Sequence, residues 1–301
     1  MGTKSERSGE VRTREPSPSQ PDVNGGMSQG AQDTQLLMRV QVKDVIIHPV
    51  AQRPLIPSHV EYLRKRLILG RVVLDAVRYS REGSLQTLTV NGQHRVAAAL
   101  KREWGDMFVS MLIHADIKDD VGAHKLFLML NDGKHVSAIA KYRNELGARN
   151  PRVMEIDKVL TAYGLTVDHT AGEGVLRCPA ALVRVHKKVG LLYMHRLFAI
   201  IGAAWNYSES SLEGVLLDGL AQVLRGCGDQ VDQKRMIDKL GNYPGGAEKL
   251  ILEAKGRGGS GGLGGRHARH VAMIMIEEYN LKLRSDDKRL TFRLAKENAS
   301  A

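Results

Sequence analysis

Between Leu36 and Ile113 the apolar residues switch between a two-residue and a longer period, and each switch predicts an element. Met38, Val40, Val42, Val45, Ile46 and Ile47 predict one or two short strands that end at His48-Pro49. Pro57 then precedes Ser58-His59-Val60-Glu61, the spacing of a capping box in which the Ser58 hydroxyl accepts from the backbone at position 61 and Glu61 reaches back. This start predicts a helix from 59 to about 69 that buries Val60, Leu63 and Leu67 and stops at Gly70. Residues 72–79 predict a strand, 81–84 a turn and 85–90 its hairpin partner, with Leu88 and Val90 alternating against Thr87 and Thr89. A helix over 93–103 and a strand over 107–113 complete a small α/β unit ordered strand, helix, hairpin, helix, strand.

Beyond residue 115 the pattern turns helical, with segments expected over 121–130, 136–146, 151–163, 179–189, 191–205, 212–224, 231–240, 247–254 and 266–282. Pro151 and Pro179 sit where a first helical turn tolerates proline. Residues 1–34 are rich in Gly, Ser, Pro, Gln and charge, which predicts a disordered tail. The expected organisation is that tail, an α/β domain over 35–147, an all-α domain over 148–285 containing a Gly-rich linker over 256–265, and a second tail over 286–301. No internal repeat is present.

Composition narrows the class. With 43% hydrophobic and 26% charged residues, the chain is neither collagen-like, nor wholly disordered, nor a coiled coil. The apolar windows 191–204 and 271–276 are broken by His195 and Arg196 or too short to span a bilayer, and the N-terminus is polar, so a soluble cytoplasmic protein without a membrane partner is expected. The two cysteines, Cys178 and Cys227, lie far apart and support neither a disulfide framework nor a zinc site. A formal charge of +11 biases the protein toward polyanions. The tail's charges nearly cancel, so that excess belongs to the rest of the chain.

The densest chemical signal is Leu88-Thr89-Val90-Asn91-Gly92-Gln93-His94-Arg95-Val96-Ala97-Ala98-Ala99-Leu100. A strand ends in a Gly turn and passes straight into a helix whose first turn holds Gln, His and Arg. Helix N-termini present unpaired N–H groups and the positive end of the dipole, which favours a phosphate. Arg95 adds a planar fork that matches phosphate oxygens. Read without context, the same stretch is also an ordinary strand-to-helix turn with a solvated arginine.

The arrangement resembles the ParB/sulfiredoxin superfamily. Residues 48–54, His-Pro-Val-Ala-Gln-Arg-Pro, look like its N-P-x-Q-P-R box, and a helix, a hairpin and the G-x-x-R box at Gly92-Gln93-His94-Arg95 follow in order. The resemblance covers about residues 36–147 and is strongest to the ParB-like nuclease-domain proteins of phages and actinobacteria, whose box reads D-G-Q-H-R. It implies a nucleotide, CTP or ATP, held through its phosphates by Gly92, Gln93, His94 and Arg95, with Gln52, Arg53, Asn131 and Lys134 completing the pocket. Asn131 and Lys134 enter through Leu130-Asn131-Asp132-Gly133-Lys134, which is similar to the family's E-N-x-x-R box. DNA and nucleotide are the implied partners, with the helical domain free to dimerise or to contact another protein.

The departures from the pattern limit what carries over. Gln93 stands where sulfiredoxin needs cysteine, which excludes a sulfinic-acid reductase. Leu130 replaces the acidic residue of the second box, so any Mg2+ falls to Asp132 or Asp75. No metal site is assigned, and no catalytic residue. A helix-turn-helix fits residues 156–167 poorly. A metal-dependent nuclease, a kinase-like nucleotide user and a non-catalytic interaction module remain as alternatives.

Four further clusters bring charged or ligating side chains together. Arg64, Lys65 and Arg66 on the first helix are either a solvated face or contacts to a nucleic-acid backbone. Arg184 with His186, Lys187 and Lys188 complements a helix C-terminus. His267 and His270 open a helix whose Val271, Ile274, Met275 and Tyr279 form an apolar stripe. Tyr279-Asn280 with Arg284 and Arg289 resembles the closing segment of the phage proteins and receives no chemistry.

Overall fold

The computed structural model describes residues 35–132, 136–258, 264–283 and 289–291. The expected tail 1–34, most of 286–301, the centre of the Gly-rich run and the segment Gly133-Lys134-His135 lie outside the described residues.

Strand β1 (Gln35–Gln41) is followed by a 3₁₀ turn and strand β2 (Ile46–Ile47). Helix α1 (Pro57–Arg66) leads into the hairpin β3 (Val73–Arg81) and β4 (Ser84–Asn91), then helix α2 (Gln93–Leu100) and strand β5 (Phe108–His114). The five strands make one mixed sheet in the order β1-β5-β3-β4-β2, with β3 antiparallel to β4 and parallel to β5. Alternation along β3 decides its two faces. Leu74 and Ala76 join Val109, Met111 and Ile113 of β5 under Val60 of α1 and Val96, Ala98 and Ala99 of α2. Val77 and Tyr79 join Leu88 and Val90 of β4 on the other face, under Ala123, Leu126 and Phe127 of helix α3 (Asp120–Leu130).

Helix α1 departs from expectation at both ends. Pro57 is its first residue, so Ser58 already lies inside the first turn and cannot cap it; no side chain does. Glu61 instead accepts from Lys101 at 2.9 Å and Arg64 at 2.8 Å, and these bonds hold its carboxyl down at about 2. The helix stops at Arg66 because Leu67 is extended, and residues 69–71 form a separate 3₁₀ turn.

Side-chain caps do set the next starts: Asp119 for α3, Ser137 for α4 (Ala138–Gly147) and Asn150 for α5 (Pro151–Ala162). Two short strands, β6 (Thr166–Val167) and β7 (Val175–Leu176), then pair in parallel. This part of the chain is therefore mostly helical rather than all-α, and the segment 156–167 ends in a strand instead of a second helix. Gly174 and Gly172 carry the backbone bonds that close this ladder, which apolar periodicity does not register.

Helix α6 (Pro179–Trp205) is broken at Gly190 (φ 72°, ψ 179°), where two helices were expected to meet. Helices α7 (Gly214–Cys227), α8 (Gln233–Gly241), α9 (Gly246–Gly258) and α10 (Gly264–Asn280) follow. Met194, Leu197, Phe198, Val271, Ile274, Met275 and Tyr279 meet in a single core, as the stripes on α6 and α10 require. Tyr142 of α4 belongs to that core while Asn144, two residues on, faces the sheet unit, so α4 serves both parts. Arg184 and Lys188 answer Asp218 of α7, at 2.7 and 3.3 Å, rather than a helix end. Asn280 grips the backbone of Leu290 from both sides, which gives the closing segment a structural role. Among the described residues no helix is long and apolar enough to cross a membrane.

Candidate functional site

The turn from β4 into α2 sits at the base of a cleft of about 370 Å³. Gly92 caps the helix with φ 122° and ψ 5°, a conformation that side chains disfavour, and a Cβ there would run into the Leu74 side chain and lie 3.3 Å from the Arg95 guanidinium. Gly92→Ala is expected to destabilise the fold by roughly 1–3 kcal/mol, read as a lower urea midpoint with unchanged slope. Arg95 and Val96 both donate their N–H groups to the Gly92 carbonyl. The preceding N–H groups, of Gln93 and His94, have no acceptor among the described residues and open the helix toward the cleft.

Seven of the eight residues expected at a phosphate pocket line this one cleft: Gln52, Arg53, Gly92, Gln93, His94, Arg95 and Asn131. Lys134 lies outside the described residues. Their side chains divide into two kinds. Gln52 donates to the carbonyls of Thr89 (2.7 Å) and Val90 (2.8 Å), Gln93 donates to the Arg53 carbonyl, and Asn131 donates to the Phe127 carbonyl at 2.8 Å. These amides hold the walls.

His94 is 4% exposed, and its Nε2 accepts the Ile56 N–H at 2.9 Å. Burial, with Arg53 and His59 nearby, lowers its pKa to about 4, so the ring is neutral and carries its proton on Nδ1. Its ring therefore builds the cleft rather than offering a cation to it.

Arg95 is the other kind. Its Nη1 donates to the Val73 carbonyl at 2.8 Å, and burial lowers its pKa against the opposing pull of Asp75. Asp75 nevertheless makes no direct pair with it. The carboxylate accepts from Asn91 at 2.9 Å and faces His114 at 3.3 Å. A half-buried guanidinium without a carboxylate against it, beside open helix N–H groups, has the chemistry to accept an anion.

The loop that carries Gln52 and Arg53 is clamped from behind. His48 is 0% exposed; its Nδ1 accepts from Ala51 N–H at 3.0 Å, and its Nε2 meets the Tyr79 hydroxyl at 2.8 Å. Tyr79 in turn donates to Asp120. Burial lowers the His48 pKa to about 4, although Asp120 pulls the other way. From α4, the buried Asn144 donates to the Gln52 carbonyl at 3.3 Å and meets His124 Nδ1 at 2.9 Å.

Arg64, Lys65 and Arg66 stand apart from the cleft floor. Arg64 pairs with Glu61, Arg66 lies over the Tyr62 ring at 4.2 Å, and Lys65 is exposed. Of the two carboxylates expected to serve Mg2+, Asp75 lines the cleft, whereas Asp132 is exposed and is not among the residues lining it; Glu61 of α1 is bonded to Lys101 and Arg64.

Sequence reasoning overlooked His59, Asn91 and Asn144 and gave Asp75 only a metal role. The one carboxylate of β3, set among Val73, Leu74, Ala76 and Val77, was the available signal for Asp75, which pairs with Asn91 at the end of β4 beside the register shift. Comparison with protein-family models, with curated proteins and with solved structures returns no match.

Proposed function

We propose that this is a ParB-like, nucleotide-binding, DNA-associated protein of phage or mobile-element type, with a ParB/sulfiredoxin-like sheet unit. One observation carries the reading: residues from positions 52–53, 92–95 and 131 share a single cleft at the N-terminus of α2. The phosphates lie against the N–H groups of Gln93 and His94, with Arg95 and Arg53 neutralising their charge. The nucleotide is CTP or ATP, and Asp75 is the side chain that would hold Mg2+ together with the bound phosphates. The net charge of +11 supports DNA as a second, salt-sensitive partner, with Lys65 and Arg66 the two exposed members of the three basic residues on α1.

The nuclease alternative draws less support. Cleavage by paired metal ions needs several carboxylates, and Asp75 alone lines the cleft among the described residues.

The test is calorimetry with CTP, ATP, GTP and ADP in Mg2+, followed by duplex DNA binding at about 50 and about 200 mM salt. Saturable binding of one nucleotide supports the reading. Metal-dependent cleavage of plasmid DNA without nucleotide binding would replace it with the nuclease, and ATP consumption without DNA would replace it with the kinase-like enzyme.

A further inference from the structure

Helix α1 forms one lip of the cleft, and its outward face carries a row of planar groups. His59 lines the cleft and meets the His94 ring at 5.1 Å, edge on. One turn along, Tyr62 lies nearly parallel to His59, with centroids 6.1 Å apart and an angle of 11°. A further turn along, Arg66 lies over Tyr62. Residues 59, 62 and 66 share a helix face, so the row begins inside the cleft and ends in solvent. Tyr62 is 52% exposed, and Leu55 and Ile56, at 49% and 44%, extend an apolar lip beside it.

A ring kept half in water beside a cationic cleft has a cost that the fold does not need. Pairing on one helix face stabilises α1 by only a few tenths of a kcal/mol, and the ring contacts of Tyr62 among the described residues are those to His59 and Arg66 on the same helix. What such a row does offer is a flat, sequence-tolerant stacking surface.

We infer that the His59–Tyr62–Arg66 row is the base-binding subsite of the cleft, holding by stacking the base of a nucleotide whose phosphates sit at Arg95. The inference rests on the phosphate reading given above. Stacking recognises a π-face rather than a hydrogen-bonding edge, so the subsite takes all four bases and favours the larger purines.

The experiment is calorimetric titration of the full chain with ATP and, separately, with inorganic tripolyphosphate, which has the charge but no base. Tyr62→Ala is expected to weaken ATP roughly tenfold and leave tripolyphosphate unchanged, with Tyr62→Phe retaining wild-type affinity for both. Tyr62 is exposed and unconnected to the core, so these variants fold; equal thermal midpoints verify it. Unchanged ATP affinity in Tyr62→Ala, or an equal loss for both ligands, would overturn the base subsite while the phosphate site stands. Wild-type protein that binds neither ligand would overturn the phosphate reading and the subsite with it.

Discussion

Replacing Arg95 with alanine is expected to weaken nucleoside triphosphate binding by at least about 30-fold, or about 2 kcal/mol, without lowering the thermal midpoint. Both halves of that expectation follow from the same geometry. The guanidinium is partly buried, bonded to one carbonyl at Val73 and faced by no carboxylate within pairing distance among the described residues. On the proposed reading, bound phosphate supplies the missing charge, so truncation removes a charge-assisted contact made only in the complex. In the free protein the same truncation relieves a desolvated cation, which offsets the lost bond to Val73. Binding isotherms and thermal melts on the same samples measure the two effects. A residue serving the fold alone would show the opposite pattern, a lower midpoint with affinity intact.

His48→Ala is expected to cost about 3 kcal/mol of stability, because it leaves a cavity, strands the buried Ala51 N–H and removes one of the two partners of the Tyr79 hydroxyl, which keeps only its bond to Asp120. The same ring gives the wild-type protein an acid-labile fold. In the folded chain His48 and His94 stay neutral down to about pH 4, whereas in the unfolded chain they protonate near pH 6.5. Between those values the unfolded state binds more protons, so stability is fully present above about pH 6.5 and falls as pH drops toward 4. The loss is on the order of 3 kcal/mol for each residue, or roughly 6 kcal/mol for the two together by about pH 4. Urea unfolding between pH 7.5 and 4.5 should show this slope in the wild type and a shallower one in His94→Gln, whose amide oxygen can still accept from Ile56. A flat wild-type profile would contradict the account.

The legible parts of the chain were those where one residue dictates backbone geometry. Gly92 at the strand-to-helix turn, Pro151 and Pro179 at helix starts and Gly190 between two helices all announced their elements, because proline fixes φ and glycine readily takes the positive φ that other residues avoid. The alternation of Leu88 and Val90 likewise marked one buried side of β4, the side that meets α3, but did not show that Thr89 on the other side is buried as well. Capping was less legible. Ser58 and Glu61 have capping-box spacing, but Pro57 moves the start by one residue and Glu61 finds stronger partners in Lys101 and Arg64.

The cleft was legible where its residues lie in the three short segments at 52–53, 92–95 and 131 and illegible where contacts come from far away in sequence. Nothing local to Asn144 says that it reaches back 92 positions to Gln52. Residue type alone also could not separate the two roles within the box: His94 and Arg95 are adjacent, yet the helix turns one inward onto the Ile56 N–H and leaves the other over the cleft.

The most direct measurement of the central claim is an amide-resolved NMR titration of the deuterated protein with CTP and ATP in Mg2+. If phosphates dock at the N-terminus of α2, the backbone amides of Gly92, Gln93 and His94 shift with a single saturating isotherm, and Arg95→Ala abolishes it. Amides that do not move there, or shifts confined to Arg64, Lys65 and Arg66, would contradict the claim.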